Sequence, residues 1–316
     1  MRDSLVDLIA RMTVVESVVD SDDSVSWHAH REAEAVDDPS VAQELDDYLA
    51  GWPDKRKRMA AYYILGKVGA NTASPAFGRI LVAYVERERD RAALESLLRA
   101  VADPPKSRDL DLGPIFALLG DGRAHIRHAA IRSLVKTDSP EVEGRLLEHA
   151  SCTQDEYDLT YVNSVLGQVG SSRSHRYLEQ ASCSRKQDVA CSALFALREI
   201  GGPELLPVFI ERLKSGPSAV KSYAMSAIER HGDERAVPAV VERVKAILRR
   251  RRSVQSDPSE LVQGLKFLCR YRESDERAES VFARTLPRRM QYLFASERAQ
   301  LNDLLASRNC RTSGSS

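Results

Sequence analysis

Apolar residues recur at helical spacing along most of the chain, most clearly between residues 219 and 244. The first half of that stretch places them at i, i+4, i+7 and i+8, and helical spacing resumes from Val237. This pattern predicts two amphipathic helices. Between them, Gly232 can adopt the left-handed conformation that ends a helix, and Asp233 can cap the next one. The stretch is therefore predicted to form a helical hairpin, with Pro238 in the first turn of its second helix.

The hairpin pattern repeats at intervals of 31 to 36 residues. Positions equivalent to Lys221 are Arg58, Arg91, Arg127, Leu159 and Ala190. Seven residues after each of the six comes a large aliphatic residue, namely Leu65, Leu98, Leu134, Leu166, Leu197 and Ile228. Eleven residues after each come Gly69, Ala102, Asp138, Gly170, Gly201 and Gly232. Because one hairpin exposes more apolar surface than it can bury alone, we expect the copies to stack and share a core.

The copies contain Leu-Gly and Gly in ILGKVG, VLGQVG and ALREIGG, and Ala-Val-Pro opens a second helix. With these motifs the repeat resembles HEAT repeats of the short bacterial kind, and similar units occur in the phycobilin lyase-like group. The resemblance covers roughly residues 53 to 248. It implies an all-α fold, a right-handed α-solenoid of stacked antiparallel helical hairpins in a HEAT/armadillo-like superhelix. Such folds have an extended concave face, which we expect the second helices to line.

The flanks of the repeats differ in pattern. We expect a helix over about residues 2–19, two further helices broken at Asp38-Pro39, and a segment bulging from one edge around Pro104-Pro105. The predicted organisation is N-terminal capping helices and a divergent first hairpin in 1–52, repeats in 53–286, one C-terminal capping helix in 287–306, and a disordered tail in 307–316.

Charge is distributed unevenly, although the formal net charge is zero. Residues 1–54 hold 14 acids and 3 bases, residues 55–210 hold 19 and 22, and residues 211–316 hold 13 and 21, giving −11, +3 and +8. Such asymmetry can attract oppositely charged partners to the two ends or favour head-to-tail self-association. Solvated charge without a partner is the alternative.

Composition also bears on location. No apolar run is long enough to span a bilayer, and MRDSLVDLIA lacks the basic start and long apolar segment of a signal peptide. We therefore expect a cytoplasmic protein with no membrane insertion. The five cysteines include no CxxC pair, so they are predicted to be reduced thiols and not a disulfide framework or zinc site.

A run of four arginines is the most distinctive polar feature. The candidate binding residues are Lys245, Arg249, Arg250, Arg251, Arg252, Lys266 and Arg270. Together they could form a positive patch for phosphate groups, acidic proteins or nucleic acid. Four adjacent arginines on a helix point in four directions, so they can face one ligand only where the helix has ended. A charge cluster that complements the carbonyl end of the helix dipole is the alternative without a ligand.

No metal, cofactor or catalytic site is predicted. His125 and His128 could share a helix face, but no third ligand is evident, and His149 is expected to be solvated. The His-Glu pairs of the HEAT-like deoxyhypusine hydroxylases are missing, and both tryptophans lie in the acidic N-terminal part, unlike those of the HEAT-like DNA glycosylases. No GxSxG, Walker, HExxH or GxGxxG motif occurs.

These observations favour a non-catalytic intracellular scaffold or adaptor that binds a protein partner through its concave face or charged ends. Nucleic-acid or other polyanion binding by the basic C-terminal part is one alternative. A chromophore-lyase-like enzyme is another, favoured only by the resemblance. The oligomeric state stays open.

Overall fold

The chain is all-helical over the residues that the structure describes. The computed structural model describes residues 1–17, 20–254 and 259–306, and within them its only β-type pairing is an isolated bridge between Lys106 and Thr137. The chain divides into two compact units, residues 1–170 and 171–316, each considered by itself below. The predicted all-α class is confirmed.

The first unit contains α1 (Asp3–Met12), α2 (Val25–Glu34), α3 (Val41–Ala50), α4 (Lys55–Asn71), α5 (Pro75–Ala83), α6 (Arg91–Val101), α7 (Gly113–Ala117), α8 (Ala124–Ser133), α9 (Pro140–Cys152) and α10 (Glu156–Val169). The second contains α11 (His175–Ala181), α12 (Gln187–Ile200), α13 (Leu206–Ser215), α14 (Ser218–His231), α15 (Val237–Arg249), α16 (Glu260–Cys269), α17 (Glu276–Ser280) and α18 (Ala295–Ala306). Short 3₁₀ turns connect several of them.

The first helices of the predicted hairpins form a row within each unit. In the first unit α4 contacts α6, α6 contacts α8, and α8 contacts α10. In the second unit α12 contacts α14 and α14 contacts α16. The predicted second helices pack beside these rows, as α5 does against α4 and α15 against α16.

The aliphatic residues found seven positions after each repeat reference lie in the cores of these rows. All six are fully buried: Leu65, Leu98, Leu134, Leu166, Leu197 and Ile228. Burying a leucine side chain contributes roughly 1.5–3 kcal/mol. The spacing of these residues therefore fixes which face of each first helix turns inward.

The glycines that end the first helices have a different role from the one predicted. Gly232 follows α14 with φ −74° and ψ 150°, and no glycine in the described part of the chain has a positive φ. A Cβ on Gly232 would lie 2.5 Å from the carbonyl oxygen of Ile228 and 2.9 Å from a ring carbon of Phe267. On Gly201 it would lie 2.7 Å from the carbonyl oxygen of Leu197. Glycine is needed here because no space remains for a side chain.

Part of the segment around the two prolines is buried, although the prolines and charges led us to expect a bulge. Pro104 and Lys106 are buried, and the backbone N–H of Lys106 donates to the carbonyl of Lys136 at 2.9 Å. Nζ of Lys106 donates to the carbonyls of Val101 and Pro104 at 2.8 and 3.2 Å. Prolines and charges therefore do not mark solvent exposure at Pro104 and Lys106, because backbone carbonyls can satisfy a buried lysine. Arg108, Asp109 and Asp111 of the same segment are exposed.

The two ends of the chain depart from prediction in different ways. Helix α1 ends at Met12 and not near residue 19, which lies outside the described residues. The expected break at Asp38-Pro39 is confirmed, since it falls between α2 and α3. The single helix expected over 287–306 is wrong: a 3₁₀ segment and α18 are separated at Leu293, whose ψ is 146°. The predicted disordered tail, 307–316, lies outside the described residues.

We expect Gly232→Ala to lower the free energy of unfolding by about 1–3 kcal/mol, because the added methyl meets a fixed backbone oxygen. Gly120→Ala is the matched control, since a Cβ there meets nothing within 4 Å, and it should stabilise by about 0.4–1 kcal/mol. Urea denaturation followed by circular dichroism measures both. Equal stabilities for the two variants would contradict the steric explanation.

Lys106 should make stability depend on pH. Burial lowers the pKa of Lys106 to about 7, whereas an unfolded lysine titrates near 10.4. Between these values the unfolded chain binds the extra proton, so this group makes the folded chain more stable as pH rises, by at most about 1.4 kcal/mol per unit.

Urea denaturation of the native chain and of Lys106→Met between pH 7 and pH 9 isolates this contribution. The difference in stability between the two should change with pH in the stated direction. Parallel pH profiles would show that Lys106 titrates normally.

Candidate functional site

A groove in the first unit is formed by the first helices of the predicted hairpins. Its volume is about 520 Å³. The side chains that line it, called here the first-helix groove, include Tyr63, Lys67, Glu95, Arg99, Asp103, His125, His128, Arg132 and Tyr161. They belong to α4, α6, α8 and α10 or directly follow them, whereas the sequence led us to expect second helices at such a surface.

Helical spacing explains why these side chains share one face. Tyr63 and Lys67 are four residues apart on α4, as are Glu95 and Arg99 on α6, so each pair lies on one side of its helix. The Lys67 ammonium lies 5.2 Å from the centroid of the Tyr63 ring, and Arg99 pairs with Glu95 at 2.6 Å. Lys67 also bridges to Asp103 beyond α6 at 2.9 Å. The groove wall therefore combines aromatic surface with charges that are largely paired.

Arg132 differs from the other cations of the groove. It is exposed on α8, with its guanidinium carbon 5.6 Å from the ring centroid of Tyr161. No carboxylate in the described residues lies within ion-pair distance of it. An exposed guanidinium above an aromatic ring can bind an acidic group without first breaking an internal ion pair.

Two contacts fix the position of the Tyr63 side chain. Its hydroxyl donates to Glu34 at 2.8 Å, and the ring of His30 packs edge-on at 5.2 Å between centroids. Burial, and then this hydrogen bond, raise the pKa of Tyr63 well above its ordinary value. The phenol therefore stays neutral near physiological pH and presents a fixed aromatic face to the groove.

An apolar extension adjoins the first-helix groove at Tyr63 and Ser96. It has a volume of about 350 Å³ and is lined by Met12, Thr13, Val14, Val15, His30, Arg56, Met59 and Ala60 as well. Val15 is 73% exposed and Val14 is 43% exposed. Exposed aliphatic residues beside a groove are characteristic of surfaces that contact another molecule.

His128 faces α10 as well as the groove. Its Nε2 lies 3.1 Å from Oδ1 of Asp158 and 3.7 Å from Oδ1 of Asp155. The sequence grouped His128 with His125, but His125 contacts Arg91, and the two carboxylates that face His128 were missed. His149 is not solvated either: its side chain is 13% exposed, and its Nε2 lies 3.3 Å from Oδ2 of Asp158.

The predicted basic residues lie in the second unit, where helix α15 ends at Arg249. Arg250 then has φ −106° and ψ 143°, so the arginine run does leave the helix. Arg252 turns back and donates two hydrogen bonds to the buried carboxylate of Glu297, at 2.7 and 2.6 Å. Its guanidinium also lies 4.9 Å from the ring centroid of Phe294. Arg252 therefore fastens α18 to the segment after α15.

The remaining predicted residues do not form one surface. Arg250 and Arg252 line a groove of about 670 Å³ with Lys221, Ser218 and Ser222. Lys245 lines a different groove beside α17. Lys266 is exposed on α16, and Arg270 pairs with Glu229 at 3.1 Å. Exposed Arg249, Arg250 and Arg251 have no ion-pair partner among the described residues.

The cysteines depart from prediction at one position. Cys152, Cys183 and Cys191 are free thiols, as expected, and burial raises the pKa of Cys191 to about 11. The expectation is wrong for Cys269, which is disulfide-bonded. Cys310 lies outside the described residues.

Two comparisons with known proteins found no relative of the chain. No protein-family model matches the chain, and no curated protein matches it. Over the described residues, none of the helices combines the length and apolar character needed to cross a membrane.

Proposed function

We propose that the chain is a non-catalytic cytoplasmic scaffold, built as a right-handed HEAT-type solenoid, that binds a protein partner in the first-helix groove. The observation that carries this proposal is the open, aromatic and cationic surface formed jointly by α4, α6, α8 and α10. Rows of helices create long surfaces suited to extended contact with another macromolecule. The burial of all six aliphatic repeat positions supports the repeat architecture.

The chemistry of the groove indicates what the partner carries. Val14, Val15 and Met59 at one end suit apolar side chains. Arg132, unpaired with any described carboxylate, suits an acidic group at the other end. The proposed partner is thus a protein segment with apolar residues followed or preceded by carboxylates. Tyrosine and arginine are also the residue types that most often dominate binding energy at protein interfaces.

Polyanion binding by the second unit is a second candidate function. It is supported by the end of α15 at Arg249, which frees the next arginines from helical geometry. Arg250 and Lys221 line one groove together. Flexible cations at such a place can contact successive phosphate groups. Arg252 is not included, because its charge is committed to Glu297.

The partner proposal can be tested by selecting binders to the full chain from a displayed random-peptide library. Enriched peptides should combine apolar residues with carboxylates, and Arg132→Glu should weaken their binding by about tenfold or more, equivalent to about 1.4 kcal/mol.

Arg79→Glu is the matched control, because Arg79 is 62% exposed on α5 in the same unit and does not line the groove. It should leave affinity unchanged. Failure to enrich any peptide class, or equal weakening in both variants, would count against the groove as the binding surface.

The polyanion proposal predicts that the chain is retained on heparin at low salt. Replacing Arg249, Arg250 and Arg251 together by alanine should lower the salt concentration of elution. In a binding assay with duplex DNA, log K decreases with log salt. The magnitude of this slope should be smaller by about 0.9 for each phosphate group that the variant no longer neutralises.

Arg252→Ala serves as the contrasting variant. It should leave the salt slope nearly unchanged but lower stability by about 3–5 kcal/mol, because the buried Glu297 carboxylate loses its partner. No retention of the native chain on heparin at low salt would refute polyanion binding.

A further inference from the structure

The side chains between α8 and α10 form a cluster that the groove does not explain. Arg127 and His128 come from α8, and Asp155 and Asp158 come from the start of α10. One ligand atom from each of His128, Asp155 and Asp158 lies within 4.8 Å of the other two. The cluster lies wholly inside the first unit.

Its hydrogen bonding is incomplete at Oδ1 of Asp158 and at two histidine nitrogens, Nε2 of His128 and Nε2 of His149. Arg127 donates to Oδ2 of Asp158 at 2.9 Å and to Oδ2 of Asp155 at 3.1 Å. Thr153 also donates to Oδ2 of Asp158, at 3.1 Å. Oδ1 of Asp158, in a side chain only 1% exposed, has no hydrogen-bond partner in the described part of the chain, and neither has Nε2 of His128.

A comparison within the same unit shows what a complete ion pair looks like. Arg58, the equivalent of Arg127 in the first repeat, donates to both oxygens of buried Glu88 at 2.7 and 2.9 Å. Tyr62 and the backbone N–H of Asp90 also donate to Glu88. No ligand is needed there. At Asp158 a buried oxygen is left without such donors, and an unpaired buried polar atom costs about 1–3 kcal/mol.

Two of the unpaired atoms, His128 Nε2 and Asp158 Oδ1, converge with Oδ1 of Asp155 as metal ligands do. Nε2 of His128 is 3.1 Å from Oδ1 of Asp158 without hydrogen-bond geometry, and 3.7 Å from Oδ1 of Asp155. Ligands held about 2.0–2.2 Å from a tetrahedral zinc ion are separated by about 3.3–3.6 Å. Arg127 occupies the Oδ2 side of both carboxylates. Oδ1 of Asp158 is therefore open to a cation, whereas Oδ1 of Asp155 also accepts from the backbone N–H groups of Tyr157 and Asp158 at 2.9 and 3.1 Å. Carboxylates that bind a metal are themselves commonly hydrogen-bonded.

The charges suit a divalent ion. The formal charges of the two carboxylates and the Arg127 guanidinium sum to −1. Imidazole nitrogen with carboxylate oxygen is a donor set that zinc accepts.

We propose that His128 Nε2, Asp158 Oδ1 and Asp155 Oδ1 bind a divalent transition-metal ion of the zinc type, which joins α8 to α10. Three protein ligands leave a fourth position for water or for a ligand group. Nε2 of His149 lies 3.3 Å from Oδ2 of Asp158, the oxygen that is not a proposed ligand.

The test uses the tag-free full chain, treated with chelator and then titrated with Zn²⁺ and Co²⁺. One ion should bind per chain, Co²⁺ should show visible absorption bands that Zn²⁺ abolishes, and Zn²⁺ should raise the melting temperature. His128→Ala should weaken binding by about a hundredfold or more and remove the thermal shift, because removing a ligand costs more than the 10–100-fold of a supporting residue.

His125→Ala is the matched control. His125 lies one turn earlier on α8 and contacts Arg91 instead of the cluster, so its removal should leave metal affinity unchanged. Asp158→Asn, checked for folding by circular dichroism, should also abolish binding. Absence of stoichiometric binding, or binding that His128→Ala retains through thiols such as Cys152, would overturn the proposal.

Discussion

The close packing of helices at glycine positions is the constraint on which both helical units depend. A Cβ on Gly66 of α4 would lie 2.9 Å from the carbonyl oxygen of Ala100 in α6. On Gly264 of α16 it would lie 2.7 Å from a methyl carbon of Val244 in α15. At such crossings there is no room for even one added carbon, because protein interiors are packed like crystals. The buried leucine register can fill the remaining space only when these small residues bring the helices together.

Hydrogen bonds and ion pairs between successive first helices add to this packing. Aspartates cap α4, α6 and α10 at Asp54, Asp90 and Asp155. A guanidinium at the repeat reference position then reaches toward the start of the next first helix, as Arg58 does to Glu88 and Arg127 to Asp158. Each link uses the exposed donors of a helix start and a cation from its neighbour. The links are buried enough to fix the register between helices, in addition to the apolar core.

The sequence was sufficient for what depends on local periodicity. Helix positions, the buried aliphatic row, the Asp233 cap and the break at Pro39 all follow from residues close together in the chain. It was insufficient where distant segments meet. His128 and Asp158 are 30 residues apart, and the Arg252–Glu297 pair spans 45, so neither contact leaves a local signal. The basic run was recognised as unusual, but the commitment of Arg252 to a buried carboxylate could be seen only in the fold.

The first-helix groove and the histidine–aspartate cluster share one residue, which couples the two. His128 lines the groove while its Nε2 faces Asp158, and its ring packs 5.1 Å from that of Tyr161, another groove residue. Any group that fixes the His128 imidazole on the α10 side also fixes the aromatic wall of the groove. Because binding equilibria that share a residue are reciprocal, a ligand in the groove and an ion in the cluster alter each other's affinity unless one of them binds both imidazole orientations equally well. The polar contacts between α8 and α10 thus connect the packing of these first helices to the first-helix groove.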